Sequence, residues 1–166
     1  QYAILFIAMV ILQIFLFSRI GISVYVHPLV CIAFIVLLPM EIAPLALLGL
    51  ALLQGVTLDF FMATAGIHTI AALLAAFCRP ALLAVLVGKD EVKDGGVPNV
   101  NRIGAKKFVR YASAMILIHS TAFFLLEALS WSFFYRTALR IVLSSAVTLP
   151  LVYFCQKLFS VNRQKI

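Results

Sequence analysis

Apolar runs of membrane-spanning length constrain this chain more than any motif in it. They follow one another from Tyr2 to Phe159, and the only long hydrophilic stretch is Gly88–Lys107, GKDEVKDGGVPNVNRIGAKK. Hydrophobic residues make up 64% of the 166 and charged residues 11%, more apolar surface than a soluble domain of this size can bury. Lipid must therefore be the solvent. Crossing a hydrocarbon core of about 30 Å takes about 20 helical residues, which leaves room for at most about six closely connected crossings. Residues 1–166 read as a single integral membrane domain: an all-α, polytopic, compact bundle of about six transmembrane helices.

The first span is placed at Tyr2–Phe17. It has the hydrophobicity of a signal-peptide core but no basic segment before it and no evident cleavage site, and more spans follow. The second, Val24–Met40, carries Pro28 near its start and Pro39 near its end, so it is either a short crossing or a re-entrant arm. The third begins after Glu41 and Pro44 and ends near Asp59; the fourth runs Gly66–Val87. Gly-Gly and Pro-Asn pairs with no apolar period make 88–107 a loop. Span five covers Phe108–Leu129 and span six Phe134–Phe159, joined by a turn at Ser130-Trp131-Ser132. Trp131 and Tyr135 are read as interfacial anchors.

Small residues mark where helices approach one another. Ala51 and Gly55 stand four apart on span three, and Ala72, Ala75 and Ala76 share a stripe of span four with His68 and Arg79. Cys31, Cys78 and Cys155 lie singly in apolar runs and read as small packing residues.

Lysine and arginine set the expected orientation. With six crossings and a cytoplasmic N-terminus, the 88–107 loop and the C-terminus share one side. That side holds Lys89, Lys93, Arg102, Lys106, Lys107, Lys157, Arg163 and Lys165, against Arg19 and Arg136 opposite. By the positive-inside rule the loop and C-terminus are cytoplasmic. The net charge of +7 then reflects topology and contact with anionic lipid, and no nucleic acid is expected as a partner.

That topology brings Asp59, His68, Glu127, Arg136 and Arg140 to the outer ends of their helices. Five titratable groups from four helices would share one depth. Each alone costs a few kcal/mol in lipid, so Asp59 or Glu127 is expected to pair with Arg136 or Arg140. Three roles stay open for the cluster: holding the bundle together, binding a partner, or relaying protons or solute. His119 is either a helix-to-helix hydrogen-bonding residue or part of a relay with Glu127. Arg79 is expected to extend toward the inner surface. There is no HExxH, no GxSxG and no Walker loop, so no catalytic residue, metal site or cofactor is assigned.

Gly55 to Asp59 at the end of span three, a short turn, then Gly66 to His68 opening span four give G-x-x-x-D and G-x-H in a small chain of about six spans. In these residues, and in Glu127-Ala128, the Arg136-to-Arg140 stretch and Leu143-Ser144-Ser145, the chain resembles divergent members of the MreD family of rod shape-determining membrane proteins. The resemblance implies a multi-pass protein of the bacterial cell inner membrane. It would be a non-catalytic scaffold or regulator of the cell-elongation complex, binding MreC and through it RodA, its partner transpeptidase and MreB, in support of peptidoglycan synthesis and cell shape. The family is also similar in fold to the substrate-binding subunits of energy-coupling-factor transporters. That likeness implies the rival reading, a vitamin or micronutrient transporter subunit.

Overall fold

The computed structural model describes residues 2–19, 27–128 and 134–161. Every regular element among them is a helix: α1 (Tyr2–Arg19), α2 (Ile32–Val36), α3 (Pro44–Met62), α4 (Ile67–Leu86), α5 (Lys89–Lys93), α6 (Val100–Ile103), α7 (Ala105–Ala128) and α8 (Phe134–Val161). Pro44 opens α3 at its first turn, where the missing N–H costs nothing. Pro44–Met62, Ile67–Leu86, Ala105–Ala128 and Tyr135–Leu158 are long and apolar enough to cross a membrane, and α1 supplies the shorter apolar run Tyr2–Phe15. The chain is thus an α-helical membrane protein with four helices of spanning length among the described residues. The expected Ser130–Ser132 turn, Trp131 included, and the start of the second span at Val24 lie outside those residues.

Neighbours in sequence are neighbours in space. The antiparallel pairs α3–α4 and α7–α8 are joined through α4 against α7, while α1 lies along α3. Ala51, Ala72, Ala75 and Ala76 are all buried, and Gly55 faces the backbone of Thr69. The stripe shared by His68, Ala72, Ala75, Ala76 and Arg79 faces the protein interior.

The second span, expected as a short crossing or a re-entrant arm, is mostly irregular among its described residues 27–40. Its helix, α2, has five residues and a length of roughly 7.5 Å, a quarter of what a helical crossing needs. Around it the chain is irregular and wholly enclosed: from Leu29 to Leu38 no residue is more than 2% exposed. The segment touches α1, α4, α7 and α8, with Phe34 edge-on to Phe6 of α1 at 5.3 Å between ring centroids.

Irregular backbone at membrane depth survives only if protein satisfies its polar groups. Here side chains from α1, α3, α4, α7 and α8 do so. Gln13 accepts from the Cys31 N–H (3.1 Å) and donates to the Pro28 carbonyl (3.2 Å). Gln54 donates to the Cys31 carbonyl (2.8 Å). Ser144 Oγ accepts from the His27 N–H (3.0 Å), and Thr148 Oγ1 from the Leu29 N–H (3.1 Å). At the other end of the segment Arg79 donates to the carbonyls of Leu38 and Pro39 and, through Nε, to the Tyr111 hydroxyl (2.9 Å).

The polar stretch 88–107 is a folded cap. It contains α5 and α6, and Asn99 closes the first turn of α6 by accepting from the Arg102 N–H (2.9 Å). Lys107 pairs with Glu91. The Met40 N–H donates to the Gly96 carbonyl (2.8 Å) and the Gly96 N–H to Glu41 (3.2 Å), which joins this cap to the end of the buried segment.

Candidate functional site: the corner between the third and fourth helices

α3 ends where Ala63 adopts a left-handed conformation (φ 52°), and α4 starts after Gly66, also left-handed (φ 84°). A glycine at the position before a helix has no side chain with which to cap it, so the first N–H groups of α4 need another acceptor. Asp59 provides it. One oxygen, Oδ1, accepts from the His68 N–H (3.0 Å) and the Thr64 hydroxyl; the other, Oδ2, accepts from the Thr69 N–H (2.9 Å) and the Thr69 hydroxyl. Four hydrogen bonds converge on one carboxylate at the positive end of a helix dipole.

Gly55 makes this capture possible. A Cβ built on it would stand 2.4 Å from the Thr69 Cα, so only glycine lets α3 and α4 meet this closely. Asp59 follows one helical turn later on the same face. The spacing from Gly55 to Asp59 is thus one close helix contact followed by one cap in trans.

His68, 1% exposed, lays its ring against Phe123 of α7 (4.7 Å between centroids). Phe123 meets Phe124 edge-on at 5.3 Å, and the Arg140 guanidinium lies 4.8 Å from the centre of the Phe124 ring. Arg140 in turn forms an ion pair with Glu127 at 2.9 Å. His68, Glu127 and Arg140 therefore belong to one layer, linked through two phenylalanines. Arg136 is exposed in the first turn of α8.

Of the two acids expected to pair with an arginine, Glu127 does so, with Arg140. The arginine contact forms at Glu127, whereas the bonds to Asp59 come from its own corner. The reason is geometric: two unmet helix N–H groups and two hydroxyls lie within reach of the carboxylate, and they saturate it.

Arg79 also departs from expectation. Its side chain is 1% exposed and turns inward onto the carbonyls at the end of the buried segment instead of extending to the surface. The sequence places Arg79 on the inward stripe of span four but does not reveal its partners, nor does it single out Gln13, Tyr111 and Thr148. A usable signal was present in Pro28 and Pro39, which imply backbone groups that need outside partners. His119, on α7, is 1% exposed.

Comparison of the chain with family models, with curated proteins and with solved structures returned no match.

Proposed function

We propose that this protein is a non-catalytic membrane scaffold of the MreD kind. In the bacterial inner membrane it binds the single membrane helix of MreC, and through MreC it supports RodA, its partner transpeptidase and MreB in peptidoglycan synthesis and cell shape. The observation that carries this reading is the use made of the intramembrane polar groups. The Asp59 carboxylate joins two helices through four hydrogen bonds, and the Arg79 guanidinium fixes a buried segment to α4 and α7. Groups committed in this way build a rigid surface for other proteins; a transport pathway needs polar groups that release and rebind. The G-x-x-x-D and G-x-H residues behind the MreD resemblance are the ones that form the corner.

The experiment is capture of the tagged full chain from native membranes in mild detergent, with mass spectrometry of the proteins and small molecules retained. MreC is expected among the proteins. A folded protein that never brings MreC with it, or that retains a vitamin-like molecule in its place, overturns the proposal.

A further inference from the structure

We infer that an ordered water molecule binds inside the bundle between α4 and α7, bridging the imidazoles of His68 and His119 beside the Ser120 hydroxyl. All three side chains are buried, at 1%, 1% and 0% exposure. Among the described residues no hydrogen-bond partner meets either ring nitrogen of His68, Nδ1 of His119 or Oγ of Ser120. Enclosing polar groups without partners is costly in a bundle whose solvent is lipid, and an internal water is the usual partner for such groups.

Two contacts place the rings relative to each other. At one end of the helix pair His68 lies 4.7 Å from Phe123 between ring centroids, and at the other Arg79 donates to the Tyr111 hydroxyl (2.9 Å). The stretches His68 to Arg79 and Tyr111 to Phe123 each cover about three turns, so α4 and α7 run antiparallel in one register. His119 and Ser120 stand one turn from Phe123 on its side of α7, toward Tyr111. The His119 ring is therefore about one turn, about 5.4 Å, beyond the His68 ring. That exceeds a direct hydrogen bond of about 2.9 Å and matches two of them in series through one oxygen. At this level α4 offers only the methyl groups of Ala71 and Ala72, which cannot hydrogen-bond. A neutral imidazole has one donor and one acceptor nitrogen. A water can accept from the His68 ring, donate to Nδ1 of His119 and keep its second proton for Oγ of Ser120. A metal ion needs more ligands, and among the described residues no third His, Cys, Asp or Glu joins these two. The inference needs no partner protein and is independent of the scaffold reading.

A crystal structure of the full chain at a resolution that shows waters tests the site directly. Density for one water within about 3.2 Å of a nitrogen of each imidazole is expected. Rings bonded directly to each other, a metal ion between them, or protein atoms filling the interval would overturn the inference. Unfolding midpoints in one detergent give a second measurement. His68→Leu and His119→Leu should each lower the midpoint by a few degrees, because each leaves the bridge with one imidazole unmet. The double variant should fall no lower than the worse single one, since removing both rings leaves neither without a partner. Additive losses, or single variants more stable than the parent, would mean that the two imidazoles share no ligand and would equally overturn it.

Discussion

Gly55 and Thr69 stand backbone to backbone where α3 crosses α4, with only 2.4 Å between the Thr69 Cα and the place a Cβ on Gly55 would occupy. This approach sets the depth at which the carboxylate of Asp59, one turn on, meets the first turn of α4. Changing the close contact and changing the cap should therefore act on the same joint.

Gly55→Ala should lower the stability of the bundle by about 1–3 kcal/mol, because the added methyl pushes two backbones apart. Alanine is the better helix former by about 1 kcal/mol, so propensity alone gives the opposite sign. Gly49, on the same helix with open space around it, is the control: Gly49→Ala should be neutral or stabilising by up to about 1 kcal/mol. Thermal unfolding of both variants in one detergent checks the pair.

Arg79→Leu should be among the most damaging single changes, at about 2–4 kcal/mol. It keeps apolar bulk but leaves the Leu38 and Pro39 carbonyls without a donor in a buried site. Arg79→Lys should recover only part of the loss, since one ammonium cannot fork to two carbonyls and a hydroxyl. Alkylation of Cys31, buried at 2% exposure in the same segment, offers a local readout. The reagent should enter faster in Arg79→Leu than in the parent, and at an intermediate rate in Arg79→Lys.

Glu127→Gln should matter little. The Glu127–Arg140 pair is half open to its surroundings, with side-chain exposures of 38% and 20%, and such pairs contribute about 0–1 kcal/mol. An unfolding midpoint close to that of the parent is expected, with greater salt sensitivity in the parent than in the variant.

Much of the architecture is legible in the sequence because lipid imposes simple requirements. Spanning length, small residues at helix contacts and an aspartate flanked by Gly55 and Gly66 all follow from satisfying backbone groups without water. Residues 24–40 were harder, since an apolar run looks the same whether it faces lipid or lies inside a bundle. Val30 to Leu38 are hydrophobic for the second reason. The partners of Asp59 were hidden for a related cause: backbone N–H groups leave no mark in a sequence, so an arginine is the only partner such reading suggests. Arg79 was misjudged because its long stem suits extension to the surface as well as burial. Two prolines and an unwound segment nearby decide for burial.

The central claim is that Asp59 is a cap whose hydrogen-bond acceptors, more than its charge, hold α3 and α4 together. Comparing the unfolding midpoints of Asp59→Asn and Asp59→Ala tests it most directly. Asparagine keeps one oxygen to accept from one of the two backbone N–H groups but turns an NH2 donor toward the other, whereas alanine leaves both the His68 and Thr69 N–H groups unmet, at a cost of about 2–3 kcal/mol. The account predicts that Asp59→Ala loses several degrees and that Asp59→Asn, with one acceptor of the two, falls between Asp59→Ala and the parent. An Asp59→Asn midpoint as low as that of Asp59→Ala would contradict it, and would point to an ion pair or a proton site instead.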